Sequence, residues 1–185
     1  MKRLVSLVLL LALAAMPAMA STFIKMNQKD LVRDSAAVIQ GEVVQVNSFW
    51  EPTGTIIVTE ALVKVEDVVF GNAPSVAVVR TAGGEVDGFY IEAHGFPVFK
   101  AGERVLLYLE PERDGYSRVT GYRQGQYQIV RDKAGVEYAV PTYEDAAGLV
   151  GADGRPAPVE KTIRLDVLKE TIRGEARRAG RILAN

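Results

Sequence analysis

Long runs of β-branched residues set the terms for this chain. Residues Ala37 to Val46 (AVIQGEVVQV), Thr55 to Val69 (TIIVTEALVKVEDVV) and Ser75 to Thr81 (SVAVVRT) are rich in Val, Ile and Thr. Crowding at Cβ favours an extended backbone, and the partial alternation suits a sheet with one buried face. The first two runs flank Asn47 to Gly54, read as a loop carrying Phe49, Trp50 and Pro52, and together they predict an antiparallel hairpin. Phe70 to Pro74 (FGNAP) reads as a turn, since Pro cannot continue a ladder.

Further strands are predicted downstream. Gly83-Gly84 breaks the third run as a bend or bulge, and Glu85 to Ala93 reads as a fourth strand with Val86, Gly88, Tyr90 and Glu92 facing opposite to Asp87, Phe89 and Ile91. Gly95 to Glu103 is loop, Arg104 to Leu109 (RVLLYL) a buried strand, and Asp114-Gly115 a turn into Tyr116 to Tyr122. Gln126 to Arg131 and Val136 to Val140 form a hairpin around Asp132 to Gly135. Seven or eight short strands with Gly-rich turns favour a barrel or sandwich over βαβ units.

Helices are expected at the ends of this body. Asn27 can cap a two-turn helix, with Asp30 near the positive end of its dipole and Leu31 and Val32 turned inward. Residues 144–158 are rich in Ala, Gly and Pro and read as a linker or extended loop. Residues 159–185 form a helical tail, with Leu165, Leu168 and Ile172 on one face. The expected domain of residues 21–143 thus lies between a leader and this tail.

The leader is residues 1–20. Lys2 and Arg3, the apolar run Leu4 to Ala15, Pro17 and the small-residue site Ala18-Met19-Ala20 read as a cleavable signal peptide cut at Ala20/Ser21. Twelve residues at about 1.5 Å each cover roughly 18 Å, short of a ~30 Å hydrocarbon core, so a membrane anchor is not the reading. No cysteine is present to carry a lipid, to form disulfides or to supply a thiolate zinc site. Export to a periplasm or to the medium is therefore expected.

Charge narrows the partners. Loss of Lys2 and Arg3 leaves 20 basic against 23 acidic residues, a net charge of −3. The segment 157–185 is +3 by seven basic and four acidic side chains, which puts residues 21–156 at −6. Nothing resembles the basic stripe of a nucleic-acid binder. The basic tail reads as docked on the acidic body, with weak membrane-surface contact or a partner as alternatives.

Catalytic inventory is thin. His94 is the single histidine, which excludes a two-histidine zinc site and leaves a Ser-His-Asp triad without a nucleophile-elbow pattern. Glu85 and Asp87 at i and i+2 would share a strand face and can bind a cation or act as acid and base, against a solvated edge as the plainer reading. Glu110, Glu112 and Asp114 invite the same two readings. No catalytic residue, metal ligand or cofactor is assigned. Aromatic residues stand out instead: Phe49 and Trp50 in the expected loop, then Phe89, Tyr90, Phe96 and Phe99 within eleven residues. Phe49, Trp50, Phe89 and Tyr90 are the candidate binding residues, with Trp50 read either as contact or as packing.

Asp34 to Val43 (DSAAVIQGEV) is similar to an SD-x-V-x-G-x-V first strand, Val65 to Gly71 (VEDVVFG) to the end of a second strand with its turn, and Ala101 to Leu109 (AGERVLLYL) to a GE-x-YL-x-F strand. In these three segments the chain resembles a group of exported bacterial proteins with an OB-like barrel and, more distantly, tissue inhibitors of metalloproteinases and netrin-type modules. The resemblance implies a mainly β fold, an OB-like antiparallel β-barrel with a short N-terminal helix and a C-terminal helix. It also brings a protease among the candidate partners. The inhibitors place an N-terminal cysteine on the protease zinc, whereas Ser21-Thr22-Phe23 stands at this expected start and supplies no thiol. The expected function is an exported, non-catalytic binding module for a protein, with an oligosaccharide as a lesser option. A hydrolase built on Glu85, Asp87 or Glu92, and an envelope-associated structural protein, are the alternatives.

Overall fold

The computed structural model describes residues 23–143, 149–151, 153–158 and 160–181. The leader expected over residues 1–20 lies outside them. The protein is mainly β, built on one antiparallel sheet flanked by two helices. In chain order the elements are β1 (Phe23–Ile24), α1 (Gln28–Asp34), β2 (Ala37–Trp50), β3 (Ile57–Phe70), β4 (Val76–Ala82), β5 (Gly84–Val86), β6 (Phe89–Ile91) and β7 (Arg104–Leu109). A 3₁₀ turn over Tyr122–Gly125 precedes β8 (Gln126–Arg131), β9 (Glu137–Pro141), β10 (Leu149–Val150), β11 (Ile163–Arg164) and α2 (Leu165–Arg178). The large sheet runs β11-β9-β8-β7-β2-β3-β4, and every neighbour is antiparallel.

The β2–β3 hairpin is its spine. Its register shifts at Val38/Ile39, Gln40/Gly41 and Val43/Gln45, and such bulges sharpen twist and let a long hairpin curl. Curling splits the apolar side chains into two clusters. On one face Ile39, Val43, Val63, Val79 and Leu107 pack beneath Phe99 and Val119. On the other, Val38, Val69, Leu106 and Ile129 meet both helices.

Both helices form where the apolar spacing predicts them, but the tail expected as helical from residue 159 has Ile163–Arg164 paired in β11 and turns helical only at Leu165. The Asn27 side chain accepts from the Asp30 amide at 3.0 Å, and Leu31 and Val32 are buried. Leu165, Leu168, Ile172 and Ala176 project from α2 at helical spacing and are all buried against the sheet. Lys169 reaches Asp67 on β3 at 2.8 Å. The tail is therefore docked on the body, and its apolar face is occupied there.

Three expectations change. Phe49 and Trp50 lie in β2 rather than in a loop, because Ser48, Phe49 and Trp50 pair with Thr59, Val58 and Ile57. The fourth strand is instead a two-stranded hairpin, β5 and β6, turning at Asp87-Gly88. Tyr116 to Tyr122 forms no ladder. Its middle makes single bridges, Val79 to Ser117 in parallel and Leu109 to Val119 antiparallel, before Gly121 and Tyr122 take positive φ of 66° and 59°.

Part of the segment expected as a linker is packed. β10 pairs in parallel with β1, and Leu149, Ala157 and Tyr143 form a small core with Phe23. Residues 144–148 and 152 lie outside the described residues.

Candidate functional site

The β5–β6 hairpin owes its shape to two residues that accept positive φ. Asp87 and Gly88, at 50° and 79°, form the two-residue loop whose twist matches antiparallel strands. Gly84 then allows the hairpin to lie on β2 and β3. A Cβ there would stand 2.4 Å from Thr59 Oγ1 and 2.5 Å from Ser48 Oγ. Those hydroxyls bond each other at 2.8 Å, and Thr59 Oγ1 donates to the Gly83 carbonyl at 2.7 Å, so backbone rests directly on a polar shelf.

Seating of the hairpin decides where the candidate aromatics go. Ser48 and Trp50 project to one side of β2 and meet the hairpin, where the Phe89 ring packs edge-on against Trp50 with centroids 6.0 Å apart. Tyr90 pairs with Glu85 and faces the other way, toward solvent. Phe89 is 63% and Tyr90 68% exposed, while Trp50 is half-buried. Ile56, at the neighbouring β2–β3 turn, is exposed as well.

Phe49 is separated from this tip. It projects from the opposite side of β2, beneath the Arg80 guanidinium at 5.6 Å from its ring centroid. Arg80 also stacks on Tyr116 at 3.7 Å and is paired with Glu60 at 2.5 Å. Its charge is therefore satisfied, and the stack holds the 113–118 segment against β4. Of the four candidate residues, Trp50 and Phe89 pack on one face of the hairpin, Tyr90 stands exposed on its other face, and Phe49 belongs to a packed ionic-aromatic stack.

The acidic candidates do not converge. Asp87 sits in the turn rather than beside Glu85 on a strand face, and Glu85, Asp87 and Glu92 are all exposed. Glu92 has His94 at 3.7 Å, with both side chains more than half exposed. Glu112 and Asp114 are exposed at their own turn. Among the described residues no group of three or more His, Asp or Glu is placed to hold a metal ion. Gly83 and Gly84 serve the close approach of the hairpin.

One constellation escaped the sequence reading. Gln28 of α1, the buried Tyr108 of β7 and Tyr127 of β8, and Glu160 meet in a partly buried polar knot. Tyr108 donates to Gln28 Oε1, Gln28 Nε2 donates to Tyr127 Oη at 2.7 Å, and Tyr127 donates to Glu160 at 2.7 Å. Burial, then the Glu160 charge, pushes the Tyr108 phenol well up; burial also dominates the rise at Tyr127. Both phenols stay protonated and act as fixed donors, which ties α1 and the 160 segment to the sheet. A tyrosine in each of two strands was the available signal, and the partners of both lie 33 to 99 residues away in the chain.

An ionic net lies under α2. Arg104 bonds Glu66 at 2.8 Å and also bonds Glu137, which Arg131 joins at 2.7 Å. Arg104 holds the Glu66 carboxyl below its usual range, and Arg131 with Arg104 does the same for Glu137. Near it a cleft of about 360 Å³ opens between β9 and α2, lined by Glu137, Arg164, Asp166 and Lys169. Charges of both signs line it and neutralise one another.

No protein-family model and no curated protein matches the chain. Among the described residues no helix is long and apolar enough to cross a membrane.

Proposed function

We propose that the protein is an exported, non-catalytic binding module that receives a protein partner on Trp50, Phe89 and Tyr90. One observation carries this: two large aromatic side chains stand more than 60% exposed at a hairpin tip, anchored by a half-buried tryptophan. Exposed aromatics on a rigid support are costly for a solitary soluble protein and are the commonest interface anchors, because they offer area with few rotamers to freeze. Exposed aromatics at a hairpin tip suit a protein partner, whose interfaces are anchored by such side chains.

Finer points of the fold belong to the same proposal. A five-stranded OB-like barrel is supported by the backbone bonds of residues 117–120: Ser117 exchanges bonds of 2.9 Å with Val78 and Arg80 on β4, while Glu110 and Thr120 bond Arg118 and Tyr108 along β7. Those bonds run between the two ends of the set β7-β2-β3-β4, around the cluster of Ile39, Val63 and Leu107. The β5–β6 hairpin then sits at the barrel mouth. Export rests on the leader, with the partner met in the periplasm or medium, and the inhibitor resemblance keeps a protease among the candidates.

The test is affinity capture from envelope and culture fractions with wild type and with Phe89→Ser/Tyr90→Ser. A stoichiometric partner retained by wild type and lost by the variant is the expected result. A partner captured equally by both would refute the site.

A further inference from the structure

Besides its aromatics, the hairpin tip has a uniform charge. The two segments that build it, residues 47–57 and 83–95, carry Glu51, Glu85, Asp87 and Glu92 and neither a lysine nor an arginine. Glu85 opposes Tyr90 directly, Asp87 lies two residues before Phe89, and Glu51 follows Trp50. Arg123, which approaches the same loop, is turned onto the Phe96 carbonyl at 3.1 Å. The stacked cation nearest in sequence register, Arg80, is on the opposite face of the strands and committed to Glu60.

The backbone of the tip is also open. Within the described residues β6 has β5 as its single strand partner, so the outward N–H and C=O of Tyr90 face no ladder. An edge of this kind accepts an added strand, with main-chain bonds giving affinity and alternate side chains giving selectivity. A strand laid along β6 would put every second side chain beside Phe89 and Trp50 and the others beside Tyr90, Glu85 and Glu92.

Taking the proposed function as its basis, we propose that the partner contributes an extended segment of alternating basic and apolar residues. Its apolar side chains cover Phe89 and Trp50, and its lysines or arginines meet the acids around Tyr90. Acidic segments are repelled by four carboxylates, and neutral ones forgo the attraction.

Trp50 is the sole tryptophan of the chain, so its emission reports on the site without labelling. Purified protein is titrated with three eight-residue capped peptides that alternate valine with lysine, serine or glutamate. The lysine peptide is expected to shift Trp50 emission and to bind about tenfold more tightly than the serine peptide at about 50 mM salt, the gap closing near 500 mM. Glu51→Gln/Glu85→Gln/Asp87→Asn/Glu92→Gln should abolish that gap. Glu112→Gln/Asp114→Asn, at a different exposed turn, should leave it unchanged. Equal binding of the lysine and serine peptides, lost from both in Phe89→Ser, would overturn the charge inference while leaving the aromatic site standing. No Trp50 response to any peptide would overturn the inference, and so would a response that follows protein concentration alone, which would make a second copy the occupant. Capture through Phe89 and Tyr90 tests the underlying site separately.

Discussion

Gly84→Ala separates the hairpin from the body it rests on. At φ 136° Gly84 occupies a region that residues with a Cβ adopt at a cost of about 1–3 kcal/mol. The new methyl would also stand 2.4 and 2.5 Å from the Thr59 and Ser48 hydroxyls, roughly 1 Å inside contact distance. Relief requires the strand to lift, which breaks the Thr59 bond to the Gly83 carbonyl and disturbs the Ser48–Thr59 bond, each worth about 0.5–1.5 kcal/mol. The total, about 2–6 kcal/mol, falls on an element of two three-residue strands that has little stability of its own. At about 1.4 kcal/mol per tenfold, the docking equilibrium shifts toward the undocked hairpin by more than an order of magnitude. Trp50 then loses the Phe89 edge, so its emission should move to the red and acrylamide quenching should rise. Amides of Phe89 and Ile91 should lose protection while those of β2 and β7 keep theirs. Unchanged emission and quenching would refute the seating of the hairpin.

Other expectations follow from the same contacts. Ile172→Ala empties a fully buried site between α2 and the sheet and should cost about 2–5 kcal/mol in chemical denaturation, whereas Val167→Ala on the exposed side should change stability little. Because Arg104 and Arg131 hold Glu66 and Glu137 below the ordinary glutamate range, their contribution is complete above the unfolded value and fades as pH falls through the depressed one. Arg104→Leu should therefore flatten the loss of stability between about pH 5 and pH 3, and an unaltered acid limb would argue against the net. Tyr127→Phe leaves Gln28 and Glu160 short of a partner and should lower stability by about 1–3 kcal/mol, measured by urea unfolding.

Local rules read much of this fold from the sequence, where a residue's own chemistry decides its conformation. Arg104 to Leu109 is five apolar residues behind a charge, too short for a buried helix, and is a strand over those same residues. Asn27 and the spacing of Leu165, Leu168 and Ile172 likewise locate both helices. Failures occur where a distant partner decides. Asn47 and Ser48 favour a loop by propensity, yet pairing with Glu60 and Thr59 carries β2 on to Trp50. Tyr116 to Tyr122 has strand-like residues, but Gly121 and Tyr122 turn the backbone into the 3₁₀ segment. The Asp87-Gly88 turn was legible as a two-residue hairpin signal, and reading Glu85 to Ala93 as one strand hid it. That error also put Glu85 and Asp87 on a common face that does not exist. Of the candidate site, Phe89 and Tyr90 were recognisable as aromatics and their exposure was not, since it depends on how Gly84 seats the hairpin.

The most direct test of the aromatic site is photo-crosslinking in the producing cell, with a photoreactive phenylalanine at position 89 or 90 and, as controls, at the exposed residues Val130 and Val167. A discrete adduct of one size from positions 89 and 90, absent from 130 and 167, is the predicted result. No adduct at 89 and 90, or the same adducts from all four positions, would contradict it.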